Sequence, residues 1–100
     1  MITVNVADLP ALTTQQAIDD VGLDQGEITQ PGLYEICVGS RGEIDSVTYL
    51  GNDSTFQVES VEEVVAREGD IEEFYVAEMD EVGFVFSYFE EGYDLYVRVV

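Results

Sequence analysis

The chain has no histidine, no lysine and no tryptophan, and it carries one cysteine and two prolines in 100 residues. Each absence closes off a chemistry. Without His, the usual acid–base catalyst at neutral pH and the commonest metal ligand are both missing. Without Lys as well, neither a His-assisted nor a Lys-assisted serine nucleophile can be assembled. No G-x-x-x-x-G-K-[ST] loop is present to cradle phosphates. Cys37 alone supplies neither a zinc site nor an intramolecular disulfide. Arg41, Arg67 and Arg98 are the whole stock of basic side chains. Direct nucleic-acid binding through basic contacts is therefore excluded, and adhesion to anionic membranes is disfavoured. No apolar run approaches 18 residues, and no basic segment followed by an apolar one opens the chain. The expectation is a soluble, cytoplasmic protein.

What the chain has in excess is acid. Twenty-two Asp and Glu face three Arg, for a net charge of −19. A small soluble domain typically carries a net charge of magnitude about 2–8. The hydrophobic fraction of 46% and the 11 aromatics are nonetheless those of a chain with a real core. The length is that of one domain spanning residues 1–100.

Turn residues and periodicity divide the chain. Ile2, Val4 and Val6 alternate as in a strand. Thr13 and Gln16 have capping-box spacing, and Ala17, Ile18 and Val21 form an apolar stripe that Gly22 closes. Asp19 and Asp20 fall in the last turn of that helix, where the dipole disfavours them. Strands are expected at Leu33–Val38, Ile44–Leu50 and Thr55–Glu59. The turns Gly39-Ser40-Arg41-Gly42 and Gly51-Asn52-Asp53-Ser54 would link them into a meander. Ser60-Val61-Glu62-Glu63 reads as a second capping box, with Val61, Val64 and Val65 on a buried face. Glu63 and Arg67 are spaced for an ion pair, and Gly69 ends the helix. A second meander follows at Glu72–Met79, Gly83–Phe89 and Tyr93–Val99. The fold class is α+β: one antiparallel, twisted sheet of six to seven strands, with two short helices on one face or end.

Carboxylates are the only abundant chemistry, yet no pair stands out as a glycosidase-like acid and nucleophile. The calcium-loop rhythm is missing around Asn52-Asp53-Ser54. Asp70-Ile71-Glu72-Glu73 and Asp80-Glu81 would gather cations only diffusely. The sequence therefore predicts no catalytic residues, no metal and no cofactor. Cys37 lies in the apolar run Leu33–Val38 and reads as a buried strand thiol, with Arg41 the nearest cation. Intermolecular pairing through it leaves a homodimer open.

The acid is unevenly spread. Residues 1–50 hold eight acids and one Arg, a balance of −7, whereas residues 51–100 hold fourteen acids and two Arg, a balance of −12. Such a charge destabilises the compact state by self-repulsion, and solubility needs far less of it. Adaptation to molar salt is one explanation, since the Debye length there falls to about 3 Å. Depletion of Lys with enrichment of acid is similar to proteins of halophilic archaea. Mimicry of a nucleic-acid backbone is the other. Carboxylates at i and i+2 on a strand face stand about 6.6–6.8 Å apart, close to the step between phosphates. In size and composition the chain resembles the phage-encoded acidic mimics: anti-restriction proteins, anti-CRISPR proteins and inhibitors of DNA glycosylases. These share a strategy and no motif. The resemblance implies a basic nucleic-acid-binding protein as partner, such as a restriction nuclease or a CRISPR effector complex. A general acidic interaction module is a third reading.

The expected contact residues are Glu72, Glu73, Glu78, Asp80, Glu81, Glu90, Glu91 and Asp94. Asp80-Glu81 and Glu90-Glu91 would sit at opposite ends of a seven-residue middle strand, about 20–25 Å apart. Phe84, Phe86 and Tyr88 share a face, as do Tyr93, Leu95 and Val97. Tyr96, alternating with Asp94 and Arg98, is expected to point outward as an aromatic anchor.

Overall fold

In the computed structural model, which describes residues 1–88 and 91–100, eight strands and two short helices form one α+β domain. The centre is an antiparallel sheet ordered β4-β3-β8-β7-β6. Its strands are β3 (Gly32–Gly39), β4 (Ile44–Gly51), β6 (Val76–Met79), β7 (Phe84–Ser87) and β8 (Gly92–Val99). A two-residue β2 (Ala11–Leu12) runs parallel to the end of β8. β1 (Ile2–Asn5) and β5 (Thr55–Val58) pair separately, antiparallel.

The second meander is as the sequence predicts: β6, β7 and β8 follow one another in space. The first is not. β3 and β4 form the expected hairpin, closed by bonds from the Gly39 N–H to the Glu43 carbonyl and from the Gly42 N–H to the Gly39 carbonyl. β5, however, leaves the sheet to pair with β1, matching Ile2 with Val58 and Val4 with Phe56. That pairing buries Val4 and Val58 under the sheet, which β5 could not do as an edge strand beside β4.

β1 also stops sooner than its alternation suggests. The Val6 N–H bonds the Ser54 carbonyl, and a 3-10 turn over Val6–Asp8 then delivers Leu9 to the core. Glu72–Phe74 is likewise a 3-10 turn and not strand, held by the Phe74 N–H on the Ile71 carbonyl. The expected strand through Phe89 is described only as far as Ser87, and Phe89 lies outside the described residues.

Both capping boxes form. Thr13 opens α1 (Thr14–Gln16), which continues as a π-type turn over Ala17–Val21 and ends at Gly22 with φ of 92°. Ser60 opens α2 (Val61–Glu68). The helices cover opposite faces of the sheet, correcting the expectation of one face or end. On one face α2 and the β1–β5 ribbon pack Val64, Val4, Val58 and Phe56 against Leu33, Phe84, Phe86 and Tyr96. On the other, Ala17 and Leu23 pack against Tyr34, Ile36, Leu95 and Val97. Val64 is fully buried and Val65 packs beside it, whereas Val61 is only half-buried. Two half-cores therefore share one sheet, and the alternating residues of β3 and β8 serve both. Close approach fixes the strand crossing: a Cβ on Gly83 would lie 2.1 Å from the Tyr96 carbonyl oxygen.

Candidate partner-binding surface

The acidic surface is built from helix α2, the turns around β6 and the start of β8. No charged side chain is buried among the described residues. On α2, Glu63 is committed to its own helix start. Its carboxylate accepts the Ser60 N–H at 3.2 Å and pairs with the Met1 α-ammonium. The predicted Glu63–Arg67 pair is therefore absent. Arg67 turns instead to Glu59 and Glu68 and lies 5.4 Å from the centre of the Tyr88 ring. Glu68 and Glu59 push the Arg67 guanidinium up, so it stays charged at any working pH. Met1–Glu63, Arg67–Glu59 and Arg67–Glu68 are the ion pairs among the described residues. Most of the surface carboxylates thus have no cation beside them.

The Met1 ammonium and the Ser60 donors hold the Glu63 carboxyl at about 2, below the ordinary 4.5. A depressed folded value contributes stability above the unfolded value and loses it as pH falls toward 2. Glu63→Gln keeps an acceptor for the capping box but not the charge. The variant should be less stable than the parent near neutral pH, and the difference should shrink steadily as pH drops from about 4.5 to about 2. Thermal melts across that range check this; a constant difference contradicts it.

Edge strand β6 carries the densest run. Glu72 and Glu73 lie in the 3-10 turn before it, Glu78 lies on it, and Asp80 and Glu81 follow it; all five are exposed. The turn is fixed by backbone: the Asp80 N–H bonds the Gly83 carbonyl at 2.7 Å, and the Glu81 N–H bonds Asp80 Oδ1 at 2.7 Å. Val82, packed on the second core, anchors it. Asp80 and Glu81 share a cleft of about 260 Å³ with Asp20. Asp19 and Asp20 line the adjoining cleft with Glu81. The helix-end acids of the first half thus join the predicted second-half cluster. The only sequence signal was their unfavourable place at a helix C-terminus.

At the other end of β7, Glu91 and Asp94 line a cleft with Asp45, Tyr88 and Tyr93. Glu90 lies outside the described residues. β7 has four residues and not seven, so only about 13 Å of strand lies between the two turns. Within the strands proper the expected i, i+2 carboxylates do not occur: β3, β4, β6 and β8 carry one acid each, Glu35, Asp45, Glu78 and Asp94. Glu78 and Asp80 come nearest, because the Asp80 N–H on the Gly83 carbonyl continues the β6 register one residue past the strand. A second pair is diagonal. Glu35 opposes Tyr96 and Cys37 opposes Asp94, which sets Glu35 and Asp94 about 7–8 Å apart.

Tyr96 is not an outward anchor. It is 7% exposed and stacks on Phe56 at 4.6 Å. Asp94 and Arg98 share its face nearer the strand ends and are only half-buried, whereas Tyr96 sits where the β1–β5 ribbon crosses. Burial, then the neighbouring Glu35, pushes its phenol far up, so it stays neutral. Among the described residues the exposed aromatics are Tyr93 at 40% and Phe74 at 36%. Cys37 is half-buried on the sheet face that carries Tyr96, opposite Ser46 on β4. The Ser46 hydroxyl, its largest single influence, lowers the thiol, but burial and the charges of Asp94 and Glu35 outweigh it and push it up. An electronegative setting of this kind keeps a thiol protonated.

Among the described residues no three acids or thiols converge as a metal site requires. No helix among them is long and apolar enough to cross a membrane. No protein-family model, curated protein or solved structure matches the chain.

Proposed function

We propose that this protein is a non-enzymatic inhibitor that presents the charge of a nucleic-acid backbone and occupies the basic groove of a nucleic-acid-binding protein. The observation that carries this reading is a two-sided core wrapped in carboxylates of which, among the described residues, few meet a cation. The field of such a surface reaches outward, steering a basic partner and weakening as salt rises. Partners of the fitting chemistry are restriction nucleases and CRISPR effector complexes, met in the cytoplasm of the host cell. Glu72, Glu73, Glu78, Asp80 and Glu81 form the main contact, joined by Asp19 and Asp20, with Glu91 and Asp94 at the far end.

The test is competition. Purified nucleases and effector complexes are loaded with labelled target DNA and titrated with the protein. Displacement that weakens steeply between low and physiological salt is expected. If a complex binds DNA and the protein together without interference, the mimicry reading is wrong. Circular dichroism in dilute buffer separates the halophile alternative: a mimic is folded there, whereas a protein adapted to molar salt unfolds as its self-repulsion is unscreened.

A further inference from the structure

We propose that edge strand β6 takes up an extended, Lys/Arg-rich segment of the partner as an added strand. The inference rests on the charge-mimic reading for the sign of the partner and adds the means of contact. β6 ends the sheet, with β7 on one side and, among the described residues, no strand on the other. Its register against β7 is unbroken from Val76–Ser87 to Met79–Phe84. The Asp80 N–H bonds the Gly83 carbonyl, so Asp80 and Gly83 continue that register as a hydrogen-bonded pair. Alternation then turns the backbone groups of Glu78 and Val76 toward β7 and those of Ala77 and Met79 toward the open edge. Those two residues each offer a donor and an acceptor to an incoming strand.

Side chains define the occupant. The stretch from Asp70 to Glu81 holds Asp70, Glu72, Glu73, Glu78, Asp80 and Glu81 and no cation. Glu78 projects on the face opposite Met79, which is 43% exposed, and Phe74 is exposed just before the strand. A segment alternating basic and apolar residues meets both faces: cations beside Glu78, apolar groups beside Met79. A second copy of this chain does not fit. It would set Glu78 against Glu78 between two molecules of net charge −19. The other edge, β4, is longer but less able to accept a strand. Its pairing with β3 skips Leu50 and Asp45, and each bulge disrupts the ladder.

Met79→Pro tests the backbone. It removes the outward N–H alone, leaves every bond to β7 and keeps every carboxylate; proline is tolerated at such an edge position. The probe is a fluorescein-labelled peptide of about nine residues alternating Lys and Val. Its control has proline at each apolar position. The parent should bind the alternating peptide at least about tenfold more tightly than the control. Met79→Pro should weaken binding about tenfold, and Met79→Ala by no more than about threefold. The amide hydrogens of Ala77 and Met79 should exchange more slowly with peptide bound, a readout that stands even if Met79→Pro fails to fold. Equal binding of the two peptides, equal effects of the two substitutions, or unprotected amides at Ala77 and Met79 would overturn strand addition. The competition experiment with DNA fails separately. If Met79→Pro displaces DNA as well as the parent does, charge mimicry stands and the β6 contact falls.

Discussion

Val64→Asp should be among the most damaging single changes in the chain, lowering the melting temperature by about 15–30 °C or preventing folding. Val64 is wholly buried, between α2 and the sheet face that carries Phe84 and Phe86. No cation is buried nearby to pair with a carboxylate placed there. An unpaired charge in such a site costs at least about 4 kcal/mol, a large part of the about 5–15 kcal/mol that a domain of this size has. At about 4–8 °C per kcal/mol the melting shift follows. Val64→Ala separates charge from cavity and should cost about 2 kcal/mol. Val61→Asp is the control. Val61 is half-buried in the first helical turn, where the dipole favours an acid, so that variant should lose less than about 1 kcal/mol. Thermal melts in the same buffer decide. Equal melting of Val64→Asp and Val61→Asp would refute the placement of α2 against the sheet.

That prediction could be made from sequence because everything it needs is local. Thr13 with Gln16 and Ser60 with Glu63 are capping boxes written within four residues, and both form. Gly39 to Gly42 announces its hairpin in the same way. What fails to read out depends on distant partners. Thr55–Val58 has the same alternation whether it pairs with β4 or with β1; the choice is made by Ile2 and Val4, some fifty residues away. The burial of Tyr96 escapes alternation for a related reason. Alternation distinguishes two faces, and it assigns inside and outside only when one of them is wet. Here both faces are covered, and a single strand face holds a buried Tyr96 between half-exposed Asp94 and Arg98. The acidic site divides along the same line. Glu72, Glu73, Glu78, Asp80 and Glu81 cluster because they are neighbours in the chain. Asp19 and Asp20 join them only through the packing of Val21 and Val82 on one core.

Reversing Asp80 and Glu81 together to Lys should slow association with a basic partner by at least about tenfold at low salt, while leaving the protein folded. Both side chains are exposed, and the turn is held by the Asp80 N–H on the Gly83 carbonyl, which any residue supplies. The loss of the Asp80 Oδ1 contact to the Glu81 N–H is a local cost that the variant absorbs in solvent. Each reversal moves the net charge of −19 by two units toward zero, so relief of self-repulsion should hold the melting temperature level or raise it. The kinetic effect is larger than the change in total charge suggests, because the new ammonium groups lie beside Asp20 in a shared cleft and cancel the field where it is most concentrated. Adding Asp19→Lys and Asp20→Lys should deepen the loss, whereas Glu91→Lys, at the opposite end of β7, should weaken association on its own account. Steering acts on encounter, so dissociation should change much less than association. At about 1 M salt, where the Debye length is about 3 Å, parent and variant should associate at similar rates. Stopped-flow association across a salt series measures all of this. An unchanged rate for the Asp80–Glu81 variant at low salt would show that the partner approaches some other surface, and the cluster around β6 would then be solvated charge with no part in binding.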